Sequence, residues 1–160
     1  MNTATIETPN ITGAAFGGGL YAGRICVGAQ PFALVLAPKD EGEYEPTRWH
    51  KSLTKVSGAN SWCDGSSNTA AMAAAGSPLA KWVRDLRIGG HDDWYLPSRL
   101  DALVVGSELP NEFKRAWYWT STQYAPAPDF AWTQNFWSNF QSYDYKYAGL
   151  RARAVRRVPL

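Results

Sequence analysis

Cysteine and histidine are scarce in this chain. Its two cysteines, Cys26 and Cys63, and two histidines, His50 and His91, form no C-x-x-C or H-x-x-x-H spacing. A zinc site is therefore not expected. An excess of one charge is also missing. Sixteen Lys and Arg against 14 Asp and Glu leave a net charge of +2, too little to point to nucleic acid as a partner. No apolar run nears the roughly 20 residues of a membrane-spanning helix, so no membrane insertion is expected. Met1 to Pro9 hold neither a basic nor an apolar stretch, and no secretory signal peptide is read there. Without one, the two thiols are expected to be reduced and buried. Gly17-Gly18-Gly19 is not followed by the Lys-Ser/Thr of a phosphate loop, which removes the nucleotide-binding reading.

Aromatic residues, by contrast, are abundant. Eight Trp, eight Tyr and six Phe stand among 160 residues. Such rings favour strands, and exposed ones favour binding surfaces. The 14 Gly and 10 Pro add turns. A chain of this length suits one domain, and 45% hydrophobic with 19% charged residues is a globular balance. Composition predicts a loop-rich fold with a substantial sheet.

Residues 1–19 read as a flexible or assembly arm, and 20–160 as the domain. Leu20 to Ile25 alternates, Gly28-Ala29-Gln30 turns the chain, and Phe32 to Ala37 is a continuous apolar run, as in a strand buried on both faces. Lys39 to Glu43 reads as a charged, exposed loop. Asn68 is placed to cap a helix over 69–75, which Gly76 ends. Pro78 starts another, with Leu79, Trp82, Val83 and Leu86 on one stripe. Trp94 to Pro97 is extended, because a residue before proline avoids the helical region. Ser98 and Asp101 form a capping box for a helix that buries Leu100, Leu103 and Val104 and closes at Gly106. Trp117 to Thr122 and Phe130 to Phe136 read as strands. Trp137 to Tyr147 is polar and aromatic. Leu150 to Ala154 alternates, and Val155 to Val158 breaks that register.

Four segments go beyond architecture. Asp92-Asp93-Trp94-Tyr95-Leu96-Pro97-Ser98 looks like a "D-W-R-L-P-T" helix start. Tyr118-Trp119-Thr120-Ser121-Thr122 looks like a "Y-W-S-S-T" strand. Ala131 to Phe136 looks like "A-W-x-x-N-F", and Leu150 to Arg156 like a closing "V-R-C-V-R" strand. Together, over roughly residues 75–158, they resemble the Lcl C-terminal domain family, related to the C-type-lectin-like and formylglycine-generating-enzyme-like folds. Tyr21 to Lys39 is similar to short stand-alone members encoded by tailed phages. The resemblance implies an α+β, C-type-lectin-like fold: a small twisted antiparallel sheet, two helices and long aromatic-rich loops. It implies a virion protein of a tail fibre, baseplate or head decoration, released by lysis. Expected partners are other virion proteins, further copies of itself in a homo-oligomer, and a host-surface glycan or protein. Some relatives are diversified by retroelements in their last strands and loops. The alternative is a glycan-binding, adhesin-like bacterial module. The late cysteine pair of formylglycine-generating enzymes is absent, so that activity is not carried over. The Glu-Pro-Asn and Gln-Pro-Asp signatures of calcium-binding lectins are also missing. Calcium is the one ion the resemblance brings into view, and no cofactor is expected.

The candidate ligand-binding residues are Trp137, Asn139, Gln141, Tyr143, Asp144, Tyr145 and Tyr147. Rings give rigid contact area and amides adaptable hydrogen bonds, the mixture found in binding loops. A subunit contact and packing onto the core are the other readings of this stretch. Trp94, Leu96, Trp119, Trp132 and Phe136 are expected in the core. Thr120-Ser121-Thr122 reads as a strand with locally bonded hydroxyls rather than a nucleophile cluster. Asp92, Asp93, Asp129 and Asp144 offer carboxylates, but Asp92-Asp93 reads as a turn, and no enzyme is expected. Arg151, Arg153, Arg156 and Arg157 read as the solvated side of an edge strand, with phosphate or acidic polysaccharide binding as the other reading.

Overall fold

A computed structural model describes residues 6–160. Met1 to Thr5, part of the expected arm and of the stretch in which no signal peptide is expected, lie outside the described residues. The expected hairpin is formed by β2 (Gly19–Val27) and β3 (Gln30–Leu36), which pair antiparallel with Val27 opposite Gln30. Gly28 takes φ 61° at the first centre of the two-residue turn, a conformation cheap only for glycine. The alternation expected for β2 breaks at a bulge between Tyr21 and Gly23. The extra residue, Ala22, is buried beside Tyr21. Leu20 is half-buried rather than turned cleanly to one side. Ahead of β2, β1 (Ala15–Phe16) folds back on it. The glycine run is thus a hairpin turn, pinned further by Gly13 N donating to Tyr21 O at 2.8 Å.

β3 is buried from Ala33 to Leu36, as its apolar run requires. It lies between β2 and β9 (Val155–Pro159) in a four-stranded sheet ordered β1-β2-β3-β9. Its side chains alternate between two cores. Val35 joins one with Trp49, Met72, Leu79, Val83, Trp94 and Trp119. Leu34 and Leu36 join the other with Val105, Tyr118 and Phe136.

Lys39–Gly42 forms a single helical turn, α1, where a loop is expected, and Glu43–Thr47 is a strand, β4. Its charged sequence hides it, because its partners satisfy the charges. α2 spans Gly65–Ala74. It starts earlier than expected: Asp64, not Asn68, accepts from Ser67 N at 3.0 Å. Asn68 is buried and locks the preceding loop, accepting from Ser61 N at 2.9 Å and donating to Ser61 O at 2.8 Å. α3 (Pro78–Asp85) is capped by Ser77 and buries Leu79 and Val83.

α4 (Arg99–Glu108) opens with the expected capping box. Ser98 N donates to Asp101 Oδ2 at 2.8 Å, and Asp101 N donates to Ser98 Oγ at 3.1 Å. Its fully buried residues are Asp101, Ala102, Val105 and Gly106; the expected Leu100, Leu103 and Val104 are half-buried, with Leu100 and Val104 packed against the core from its flank. The box rotates the helix so that its own carboxylate turns inward. Gly106 does not close the helix. A side chain there would meet Asn139 and Phe136. Pro110–Glu112 adds a short 3-10 turn.

The second sheet is ordered β4-β8-β5-β6-β7, with β5 at Trp117–Gln123, β6 at Phe130–Asn135, β7 at Phe140–Tyr145 and β8 at Leu150–Arg153. Only the β5–β8 pairing is parallel, at Tyr118 opposite Arg151. The register break expected near Val155 is the point where one stretch of chain changes sheets. β8 ends at Arg153 and β9 begins at Val155. The backbone of Ala154 bonds Gly42 O at 2.8 Å and Ala37 N at 3.0 Å. The protein is α+β, with curled sheets built round this shared strand.

The arginines of that strand do not form a solvated face. Arg153 is 1% exposed; its Nε donates to Ala37 O and its Nη1 to Glu112 O, both at 2.9 Å. Arg156 grips Asp93 with Nε at 2.6 Å and Nη2 at 2.9 Å. Arg157 Nη1 donates to Asp64 Oδ1 at 3.0 Å. Arg151 pairs with Glu45 at 3.1 Å and Glu43 at 3.6 Å. Each guanidinium finds its carboxylate or carbonyl on another element, which the local sequence could not show. The thiols also differ from expectation. Cys26 is exposed on the outer side of β2, Cys63 is half-buried, and they are not bonded to each other.

Asp101 sets a pH dependence. It is fully buried, and its Oδ1 has no hydrogen-bond partner. Burial pushes its pKa up to about 7, against the two donors of Ser98 that favour the charge. The folded state then holds a proton that the unfolded chain releases near pH 4. Its contribution is complete below about pH 4 and is lost as pH rises through about 7. Urea unfolding across that window will show a component of stability falling by up to about 1.4 kcal/mol per pH unit in wild type. That component will be missing in Asp101→Asn. Parallel profiles for the two proteins would show that Asp101 does not titrate there.

Candidate binding face

β7 is the outer strand of its sheet and pairs with β6 over six residues, from Asn135 opposite Phe140 to Phe130 opposite Tyr145. The aromatic stretch expected as a loop is thus a hairpin strand, and its period of two sorts the candidates by face. Gln141, Tyr143 and Tyr145 share one side, opposite Gln134, Trp132 and Phe130. Ser142 and Asp144 take the other side.

Tyr143 stacks on Tyr124 with centroids 4.1 Å apart and meets Phe130 and Trp132 edge-on at 5.4 and 5.7 Å. Tyr145 lies 4.1 Å from Phe130 and stacks on Tyr147 at 5.0 Å. Tyr143, Tyr145 and Tyr147 are 45%, 41% and 52% exposed. They form a ladder of rings packed side by side yet open to solvent.

Lys146 explains why Tyr145 and Tyr147 face the same way. It is wholly buried between them. Its Nζ donates to Thr54 O at 2.8 Å and Gln123 Oε1 at 2.6 Å and sits 4.8 Å from the Trp49 ring. Burial pushes the amine pKa down to about 8. With residue 146 driven inward, its neighbours are driven out.

Gln141 has another role. Its Oε1 accepts from Arg99 Nε and its Nε2 donates to Arg99 O, both at 2.9 Å. That clamp lays the Arg99 guanidinium on Trp132, 3.5 Å from the ring centroid, with the Trp62 ring centroid 4.7 Å away. Trp62 is 44% exposed. The ladder therefore begins at Trp62 and runs through Arg99, Trp132, Tyr143 and Tyr145 to Tyr147. Trp62, Arg99, Tyr124, Phe130 and Trp132 are absent from the sequence-based set. Trp132 was expected in the core but is only half-buried, because Arg99 rather than an aliphatic group covers it. An alternation of aromatic residues along β6 was the one visible signal for Phe130 and Trp132.

Three other candidates lie apart from the ladder. Asn139 has φ 53° in the β6–β7 turn. Its Oδ1 accepts from Gln134 Nε2 at 2.6 Å and its Nδ2 donates to Ser107 Oγ at 3.1 Å, so it ties the turn to α4. Trp137 is 67% exposed at the tip, 4.8 Å from Arg115. Asp144 Oδ1 accepts from Tyr145 N at 2.7 Å.

The expected core residues Trp94, Leu96, Trp119 and Phe136 are buried. The hydroxyls of Thr120, Ser121 and Thr122 each donate to a backbone carbonyl, of Trp132, Pro97 and Ser61. Among the described residues, no group of three or more His, Cys, Asp or Glu is placed to hold a metal ion. No described helix is long and apolar enough to cross a membrane. No protein-family model and no curated protein matches the chain.

The geometry separates rings that hold the sheet from rings that only decorate it. Tyr143 touches three aromatic partners, whereas Tyr147 ends the ladder. Tyr143→Ala will lower the unfolding free energy by about 1–2 kcal/mol, and Tyr147→Ala by less than about 0.5 kcal/mol. Chemical denaturation measures both. Equal costs would show that the ladder is packed uniformly.

Proposed function

We propose that the chain is a non-enzymatic attachment module with a C-type-lectin-like framework, carried on a phage virion, and that the ladder on β6–β7 binds a glycan of the host surface. The observation that carries this reading is the row of exposed, mutually supported rings, Tyr143, Tyr145 and Tyr147, on the outer hairpin. Ring faces held rigid before binding suit the apolar faces of sugar rings, and they lose little side-chain entropy on contact. The motif resemblance to the Lcl C-terminal domain family, including its short phage-encoded members, supports the virion setting. No catalytic pairing of carboxylates is needed: Asp93 is taken by Arg156 and Asp144 by the backbone.

A second reading, a self-contained bacterial glycan-binding module, is favoured by one observation. The glycine run folds onto β2 of its own domain rather than leading away from it. The two readings share the face and differ in assembly. Light scattering on the full chain and on a form starting at Gly13 will give, for a virion component, a defined oligomer that dissociates in the shorter form. A monomer in both cases favours the bacterial module. For either, Tyr145→Ala combined with Tyr147→Ala will reduce binding to host-surface glycan at least about tenfold with the fold intact. Undiminished binding would remove the ladder from the interface.

A further inference from the structure

Arg99 differs from the arginines of the last two strands. Arg151, Arg153, Arg156 and Arg157 each lie within reach of a carboxylate. Arg99 has none among the described residues, and nothing nearby raises its pKa against the burial that lowers it. Its Nε is occupied by Gln141. Its two Nη groups make no hydrogen bond to the described residues, yet they are not among the buried unsatisfied atoms, so they meet solvent. The guanidinium is held by its neighbours: it lies 3.5 Å from the Trp132 ring centroid and 4.7 Å from that of Trp62, and Gln141 takes its Nε. One edge is left free, and it carries two Nη groups pointing away from the clamp.

We propose that the ligand of this face is an acidic glycan, and that Arg99 receives the carboxylate of a uronic- or sialic-type sugar through its free edge while the neighbouring rings hold the sugar. This rests on the reading of the ladder as a glycan-binding face. A planar fork fits a planar carboxylate with two parallel hydrogen bonds. One guanidinium without a second base beside it matches a single negative charge better than a phosphate monoester. Desolvation by the flanking tryptophans strengthens the contact, because the cation is already stripped of much of its water before the ligand arrives. Trp62 and Tyr143, both exposed and next to the Arg99–Trp132 stack, offer the apolar surface that a pyranose needs next to its carboxylate.

The test is calorimetry with the full chain and five probes: trigalacturonate, its methyl ester, sialyllactose, lactose and a short peptide ending in glutamate. The ester keeps shape and removes charge. Expected is binding of at least one acidic sugar, roughly 10- to 100-fold tighter than its uncharged counterpart. That preference disappears in Arg99→Gln and shrinks in Gln141→Leu, which unclamps the guanidinium without removing it. Arg24→Gln, on the other sheet, keeps it. The ester comparison needs no variant, so a poorly folding Arg99→Gln does not blunt the test. Equal binding of charged and uncharged sugars overturns the role of Arg99 while the ladder still stands as a glycan-binding face. Failure of all four saccharides overturns both. Binding of the peptide alone, lost in Arg99→Gln, overturns the sugar as the source of the carboxylate.

Discussion

Residues 150–159 serve two sheets at once, and that constraint organises everything else. β8 pairs with β4 and β5, and two residues later β9 pairs with β3. A strand that changes partners must satisfy its backbone at the crossing, which Gly42 and Ala37 do through Ala154. It must also steer its side chains into different layers. Arg153 does so beneath the crossing, where it meets Ala37 O and Glu112 O and lies 5.4 Å from the Phe113 ring. A buried guanidinium costs several kcal/mol in lost hydration, so the acceptors must be in place when the strand docks. The crossing thereby ties together the end of β3, the turn of α1, the start of β4 and the 3-10 turn.

The five-stranded sheet inherits its position from that crossing. β5 lies beside β8, and beyond Trp119 it leaves regular pairing with β6. Its residues 121–123 dock on the loop at 59–61 and on Pro97. Asn68 reaches the same place from α2. These polar contacts hold the start of α4 against the sheet, and Arg99 is the first residue of that helix. The clamp on Trp132 is therefore made jointly, with Arg99 presented by the framework and Gln141 and Trp132 supplied by the hairpin.

Much of the framework was legible in the sequence. The β2–β3 hairpin, the Ser98–Asp101 box, the Pro78 helix start and the strands at 117 and 130 all rest on local patterns, which neighbours along the chain suffice to impose. What could not be read depends on partners far away in sequence. The charged Glu43–Thr47 strand exists because Arg151 and Arg153 lie across from it. Asn68 looks like a cap and is instead a buried staple, because Ser61 and Thr122 occupy its surroundings. The candidate face was half legible. Aromatic and amide content pointed to 137–147, but its period of two was hidden by the inward turn of Lys146. Arg99 and Trp62 carried no local signal at all.

The left-handed turn at Asn139 has a consequence for how this surface can change. At that end of the hairpin, Gln134, Ser107 and Gly106 hold the chain so closely that an added methyl group has no room. Towards Tyr147 the exposed rings of Tyr145 and Tyr147 lean on Phe130 and on each other, while the backbone ladder with β6 runs as far as Tyr145. The hairpin is hard at its tip and forgiving at its base. Substitutions at the exposed positions 145 and 147 can therefore change the surface of the hairpin while the architecture beneath is inherited unchanged.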